Sequence, residues 1–126
     1  MNKTNAVCFT KESEATTFRL NKMREKYGDT IFLYKIWDIG NTLKPCDVVG
    51  AWLKWKAIAI EFKLLHIDSS KCTYEKVLSK VQWQQIATLE NYKRAEGISL
   101  LIAYCDKTND FIIYDYKTWQ QVDIEY

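Results

Sequence analysis

The sequence predicts one α/β domain built on a mixed β-sheet flanked by helices. Three observations lead there. Segments rich in β-branched and aromatic residues alternate with segments of helical periodicity, in the order α-β-β-β-α-β-β. Ile98 to Cys105 (ISLLIAYC) is apolar almost throughout, the pattern of a strand covered on both faces. The second and third strands are joined only by Lys54 to Lys56, too short for a parallel crossover, so those two run antiparallel.

Taken in order, residues 1 to 10 read as a short lead-in. Lys11 to Tyr27 follows as a helix closed by Gly28. Its apolar stripe is Thr16, Leu20, Met23 and Tyr27. Arg19, Lys22 and Lys26, with Arg24 on the flank, form the opposite side, a solvated or phosphate-contacting face. Thr30 to Trp37 is a strand, Asp38 to Lys44 a loop, Cys46 to Leu53 a second strand and Ala57 to Leu64 a third. Leu65 to Leu78 reads as a polar connection. Ser79-x-x-Gln82 has the form of a capping box, opening a helix over Lys80 to Glu96 that Gly97 closes. Ile98 to Cys105 and Phe111 to Tyr116 are the last strands, joined by a turn over Asp106 to Asp110. Trp119 begins a short tail.

Composition narrows the function. The chain has 126 residues, of which 48% are apolar, with one proline and four glycines. That suits one domain, residues 1–126, with a core of its own. No run approaches the ~20 apolar residues of a membrane span, and the polar N-terminus is unlike a signal peptide; the expectation is a cytoplasmic protein. The four cysteines (Cys8, Cys46, Cys72, Cys105) contain no C-x-x-C pair, so neither a zinc site nor a disulfide framework is expected. His66 is the one histidine, which argues against a Ser-His-Asp triad or a Cys-His dyad. The net charge of +2 permits a nucleic-acid partner without demanding one.

The chemistry concentrates between Pro45 and Lys63. Strand alternation in Ala57 to Lys63 puts Ile58, Ile60 and Phe62 on one face, and Ala57, Ala59, Glu61 and Lys63 on the other. A carboxylate beside an ammonium on such a face is either an edge-strand salt bridge or a site. Asp47 precedes Glu61 by fourteen positions, across the hairpin. Two carboxylates converging beside a lysine make a hard-oxygen site suited to Mg²⁺ or Mn²⁺, the ion that phosphodiester hydrolysis uses to polarise phosphate and activate water. Gln85 sits on an apolar helical stripe between Val81 and Leu89. It is either satisfied by backbone or turned into the site.

Pro45-x-Asp47, a gap, then Glu61-x-Lys63 resembles the signature of the PD-(D/E)XK nuclease superfamily. Within it, Asp47-x-x-Gly50-x-Trp52, the basic turn with Lys54 and Lys56, Ile58-x-Ile60-Glu61-Phe62-Lys63 and Gln84-Gln85-Ile86 resemble the RecU-type Holliday junction resolvases, over roughly residues 12 to 120. The resemblance implies a restriction-endonuclease-like fold and a Mg²⁺-dependent homodimer, each protomer cutting one strand of a four-way DNA junction. It implies Asp47, Glu61 and the Phe62 carbonyl as metal ligands, Lys63 as the catalytic lysine and Gln85 as a positioning group. No organic cofactor is implied. The family also uses an acid early in its first helix. Glu14 keeps the family's spacing to Asn21 and is preferred; Glu12, on the face of Thr16, Leu20 and Met23, is the fallback.

The sequence departs from that family in three places. Gln84 stands for the family's histidine, and Trp55 for a glycine of the basic turn. The segment before Asp47, which in the bacterial family forms a junction-inserting stalk, is cut to Asp38 to Lys44. A compact phage or viral relative fits such trimming. Lys35, Lys44, Lys54, Lys56 and Lys80 are the candidate DNA contacts. Phe111 to Tyr114 with Trp119 is a candidate dimer interface, or plain core. The alternatives to a resolvase are a repair or replication nuclease cutting flaps or ends, similar to the VRR-NUC group, and a non-cleaving DNA-binding module on the same fold.

Overall fold

The computed structural model describes residues 9–36, 46–52 and 56–122. Helix α1 is Glu12–Tyr27, β1 Phe32–Lys35, β2 Val48–Trp52 and β3 Lys56–Leu65. Helix α2 is Tyr74–Leu78, α3 Trp83–Arg94, β4 Ile98–Cys105 and β5 Asp110–Asp115. The five strands form one sheet in the order β1-β2-β3-β4-β5. β3 and β4 pair in parallel, and every other neighbouring pair is antiparallel. This is the mixed, helix-flanked sheet that the sequence predicts.

Alternation along β3 and β4 builds two cores. Ile58, Ile60 and Phe62 of β3 with Leu100 and Ile102 of β4 meet Leu20 and Met23 of α1 on one face. Ala59, Leu65, Leu101 and Ala103 meet Tyr74 and Val77 of α2 and Leu89 of α3 on the other. β4 is therefore apolar at nearly every position because both of its faces are covered. The helical connection between β3 and β4 is what allows them to run parallel.

Several boundaries move. The expected polar connection from Leu65 to Leu78 contains α2. The capping box lies three residues later than expected, because Ser79 closes α2 and its Oγ donates to the Lys76 carbonyl at 2.8 Å. Helix α3 starts at Trp83, with Gln82 as the N-cap and Gln85 as its partner. Arg19 is no part of a solvated face: it is 2% exposed, with its guanidinium 5.5 Å from the centroid of the Phe111 ring. The buried side of α1 spans Ala15, Thr16, Arg19, Leu20 and Met23, a wider band than the apolar stripe alone. The candidate interface on β5 is partly core, since Ile113 and Tyr114 are buried, whereas Trp119 is exposed.

Two glycines are required by close approach. Gly50 pairs with Leu33, and a Cβ on it would stand 1.9 Å from the Phe32 carbonyl oxygen. Gly97 is crowded less severely, with the Ala57 carbonyl 2.7 Å from where its Cβ would be. The left-handed residue that ends the last helical turn is Glu96, not Gly97. Gly50→Ala must push β1 off β2, and it should cost about 3 kcal/mol of unfolding free energy, at the upper end for single substitutions. Urea denaturation measures this; a cost below about 0.5 kcal/mol would mean that β1 is free to shift.

Candidate metal centre

Strand β3 outruns its neighbour, and the site follows from that. The β2–β3 ladder ends at Val48 opposite Ile60, while β3 continues to Leu65. Along a strand, alternate N–H groups point to the same side. The N–H groups of Phe62 and Leu64 thus face the edge that β2 has left, in a buried setting where a donor needs an acceptor. Carboxylates supply it. Phe62 N–H donates to Asp47 Oδ2 at 2.8 Å, and Leu64 N–H to Glu12 Oε2 at 3.0 Å. Asp47 N–H in turn donates to Glu61 Oε1 at 3.1 Å. The Phe62 carbonyl leaves the strand on the same side as its N–H, so it faces this edge too.

Three acids are thereby gathered, from α1, from β3 and from the residue before β2. Glu12, Asp47 and Glu61 each place a carboxylate oxygen within 4.8 Å of the others. Glu61 is fully buried and Asp47 is 6% exposed. Lys63 Nζ stands 3.1 Å from Glu61 Oε2, a close ion pair that falls short of an aligned hydrogen bond. Burial pushes the Glu61 carboxyl up to about 8, the Asp47 carboxylate pushes the same way, and Lys63 opposes both. The neighbouring Cys46 thiol is pushed up to about 12, first by burial, then by Glu61 and Asp47. It is a buried thiol rather than a thiolate. The three acids gathered there among the described residues offer oxygen ligands, and a hard divalent cation fits such a set.

The helical acid at the site is Glu12, and the preference for Glu14 is corrected. Glu12 lies on the inward stripe of α1, whereas Glu14, two positions on, turns to the exposed side, where its Oε1 accepts a 3.4 Å bond from Thr10. Gln85 is 6% exposed, on the α3 stripe that packs over Ala59, and so over the face of β3 that carries Glu61 and Lys63. Its Oε1 accepts the Gln82 N–H at 2.9 Å, which is the backbone-satisfied reading. Of the candidate DNA-contacting lysines, Lys56 and Lys80 are exposed. Lys35 is held against α1 by bonds to the Ser13 carbonyl and Thr17 Oγ1. Lys44 and Lys54 lie outside the described residues.

Two predictions follow from the geometry. Without metal, the folded protein keeps a proton on Glu61 up to about pH 8, while the unfolded chain loses it near the ordinary value of 4.5. The folded state binds the extra proton between those values, so this contribution to stability is full below 4.5 and is lost as pH rises through 8. The melting midpoint in EDTA should fall across that window, and Glu61→Gln should flatten the fall; an unchanged slope in the variant would assign the trend to other groups. Mg²⁺ at pH 8 should raise the midpoint, by about 2.7 kcal/mol of stability at a hundredfold excess over its dissociation constant. Glu12→Gln should shrink that gain and Glu14→Gln should not; the reverse pattern would restore Glu14 to the site.

No family model matches the sequence, and no curated protein matches it. Among solved structures, the chain is similar to Hjc of Archaeoglobus fulgidus, a Holliday junction resolvase from an archaeal hyperthermophile. The identity is 13%, the match covers 84% of each chain and the TM-score is 0.49.

Proposed function

We propose that this chain is a divalent-metal-dependent DNA endonuclease acting on four-way junctions, two copies of the chain cutting opposed strands. One observation carries the nuclease reading: Glu12, Asp47 and Glu61 converge within 4.8 Å, and Lys63 lies 3.1 Å from Glu61. The junction and the dimer rest on the resemblance of Asp47-x-x-Gly50-x-Trp52 and Ile58-x-Ile60-Glu61-Phe62-Lys63 to the RecU-type pattern.

In this proposal Asp47, Glu61, Glu12 and the Phe62 carbonyl hold Mg²⁺, with Mn²⁺ able to replace it. A cation there polarises a phosphodiester and lowers the pKa of a coordinated water. Lys63 reaches the same point as Glu61 and is 14% exposed. Its ammonium stabilises the charge that develops on the phosphate oxygens as the bond to the leaving oxygen breaks. Gln85 enters as a positioning residue: its cap fixes where α3 begins, over the face that carries Glu61 and Lys63. Lys56 and Lys80, both exposed, supply phosphate contacts that read backbone charge and shape rather than base edges.

The deciding experiment is cleavage of an end-labelled four-way junction with Mg²⁺, beside a flap and a linear duplex. The junction should be nicked symmetrically and in preference to the other two. Asp47→Asn and Glu61→Gln should each lower the rate by about 10²–10³-fold or more, with junction affinity nearly unchanged. Equal cutting of all three substrates would make the protein a less selective nuclease of flaps and ends. Undiminished cutting by either variant would remove the metal-centre assignment.

A further inference from the structure

The seam between α1 and β1 carries a groove that the acidic cluster does not use. An open groove of about 410 Å³ runs past Ser13, Thr17 and Asn21 of α1 and Lys35 of β1. A second of about 230 Å³ shares Thr17 and Lys35 and continues to Arg24 and Tyr34. Ser13, Thr17, Asn21 and Arg24 follow at helical spacings of four, four and three, so they form one polar stripe.

Lys35 ties this groove to the metal centre from two sides. Its Nζ donates to the Ser13 carbonyl at 3.2 Å and to Thr17 Oγ1 at 2.9 Å, and Ser13 is the residue after Glu12. The next residue, Ile36, donates its N–H to the Asp47 carbonyl at 2.8 Å. An ammonium is therefore fixed against the residue that follows Glu12, on the strand whose next residue bonds Asp47, with hydroxyl and amide groups leading away from it. Arg24 adds a second cation, its Nη1 donating to Asn21 Oδ1 at 3.3 Å. Tyr34, 54% exposed, stands at the far end. Among the described residues, Glu14 is the one acid on the wall.

We infer that this groove holds the sugar-phosphate backbone of the cut strand next to the scissile phosphodiester, on Lys35, Thr17 and Asn21. The inference rests on the nuclease reading above. Such contacts position a strand without reading its sequence, and an exposed tyrosine at the end of the groove offers a stacking surface for a base or sugar.

Anisotropy of a labelled four-way junction, read in EDTA on the Glu61→Gln background, tests the groove apart from catalysis. Lys35→Ala should weaken binding about 5–20-fold at 0.1 M salt and lower the slope of log affinity against log salt by about one. Lys35→Arg should restore that slope, separating lost charge from lost packing. Asn21→Asp keeps an acceptor for Arg24 but sets a negative charge in the groove, and should weaken binding about tenfold. Glu14→Gln should tighten it. Lys117→Ala, beyond β5 at the opposite edge of the sheet, removes the same charge and should change affinity less than twofold. Unchanged affinity in both Lys35→Ala and Asn21→Asp, or an equal loss in Lys117→Ala, overturns the groove. Wild-type cleavage is read in parallel with Mg²⁺. Cleavage without a groove effect overturns this inference alone, and absence of cleavage overturns the nuclease reading with it.

Discussion

The unpaired edge of β3 beyond Ile60 is the constraint from which the rest follows. Two N–H groups, one buried on Phe62 and one half-buried on Leu64, lose their ladder partners where β2 stops. The fold answers with carboxylates instead of another strand. Each such charge-assisted bond contributes about 1.5–3 kcal/mol. Three ionised carboxylates within 4.8 Å of one another repel by roughly 3–4 kcal/mol per pair at an effective dielectric near 20. With three such pairs, repulsion of roughly 9–12 kcal/mol outweighs the roughly 4.5–9 kcal/mol of the three N–H bonds to these carboxylates, the third being Asp47 N–H to Glu61, and Lys63 faces only one of the acids closely. The cluster therefore calls for more positive charge, as a proton on Glu61 or as a cation. A salt bridge accounts for Glu61 and Lys63 alone; Asp47 and Glu12 are held by the Phe62 and Leu64 N–H groups, and gathering all three acids leaves a negative charge that Lys63 does not balance.

Much of this was legible in the chain. The period-two pattern from Ala57 to Lys63 separated the apolar face from the Glu61 face, and the apolar run of β4 announced its two covered sides. The short basic turn fixed the β2–β3 orientation. The misreadings have physical causes. Distance along the chain to later landmarks favours Glu14, yet helical phase decides which acid faces the sheet. Glu12, Thr16, Leu20 and Met23 recur at four, four and three, so the signal was present and outranked by the wrong criterion. Ser79 has the composition of an N-cap, and sequence alone does not show that a preceding five-residue helix already uses it as a C-terminus. Charge alone predicts an exposed Arg19. Its aliphatic stem and its planar head over Phe111 let it join the buried band instead.

Gly50 shows how a motif position is set by backbone rather than by chemistry. Its pairing with Leu33 brings β1 against β2, and the next residues along β1, Lys35 and Ile36, come to stand beside Ser13 and Asp47. A side chain at Gly50 would thus be felt first as a displaced edge strand and only then at the site. The same coupling gives β1 two jobs, since Leu33 fills the core under α1 while Lys35 links strand to helix.

The site also depends on a contact far along the chain. Glu12 and Leu64 are 52 residues apart, and their bond holds only while α1 stays docked on the Ile58–Ile60–Phe62 face. Leu20 and Met23 do that docking, fully buried and two to three turns along the helix from Glu12. Asp47 and Glu61 need no such help, because both are fixed by the β2–β3 hairpin. The cluster is thus made of a rigid pair and a third acid delivered by a packed helix. Any change that loosens the α1 face, a cavity at Leu20 for example, should loosen the third acid of the proposed metal centre before it unfolds the pair. Metal affinity would then report the docking of α1 more sensitively than global stability does, because the hairpin keeps its own hydrogen bonds when the helix shifts.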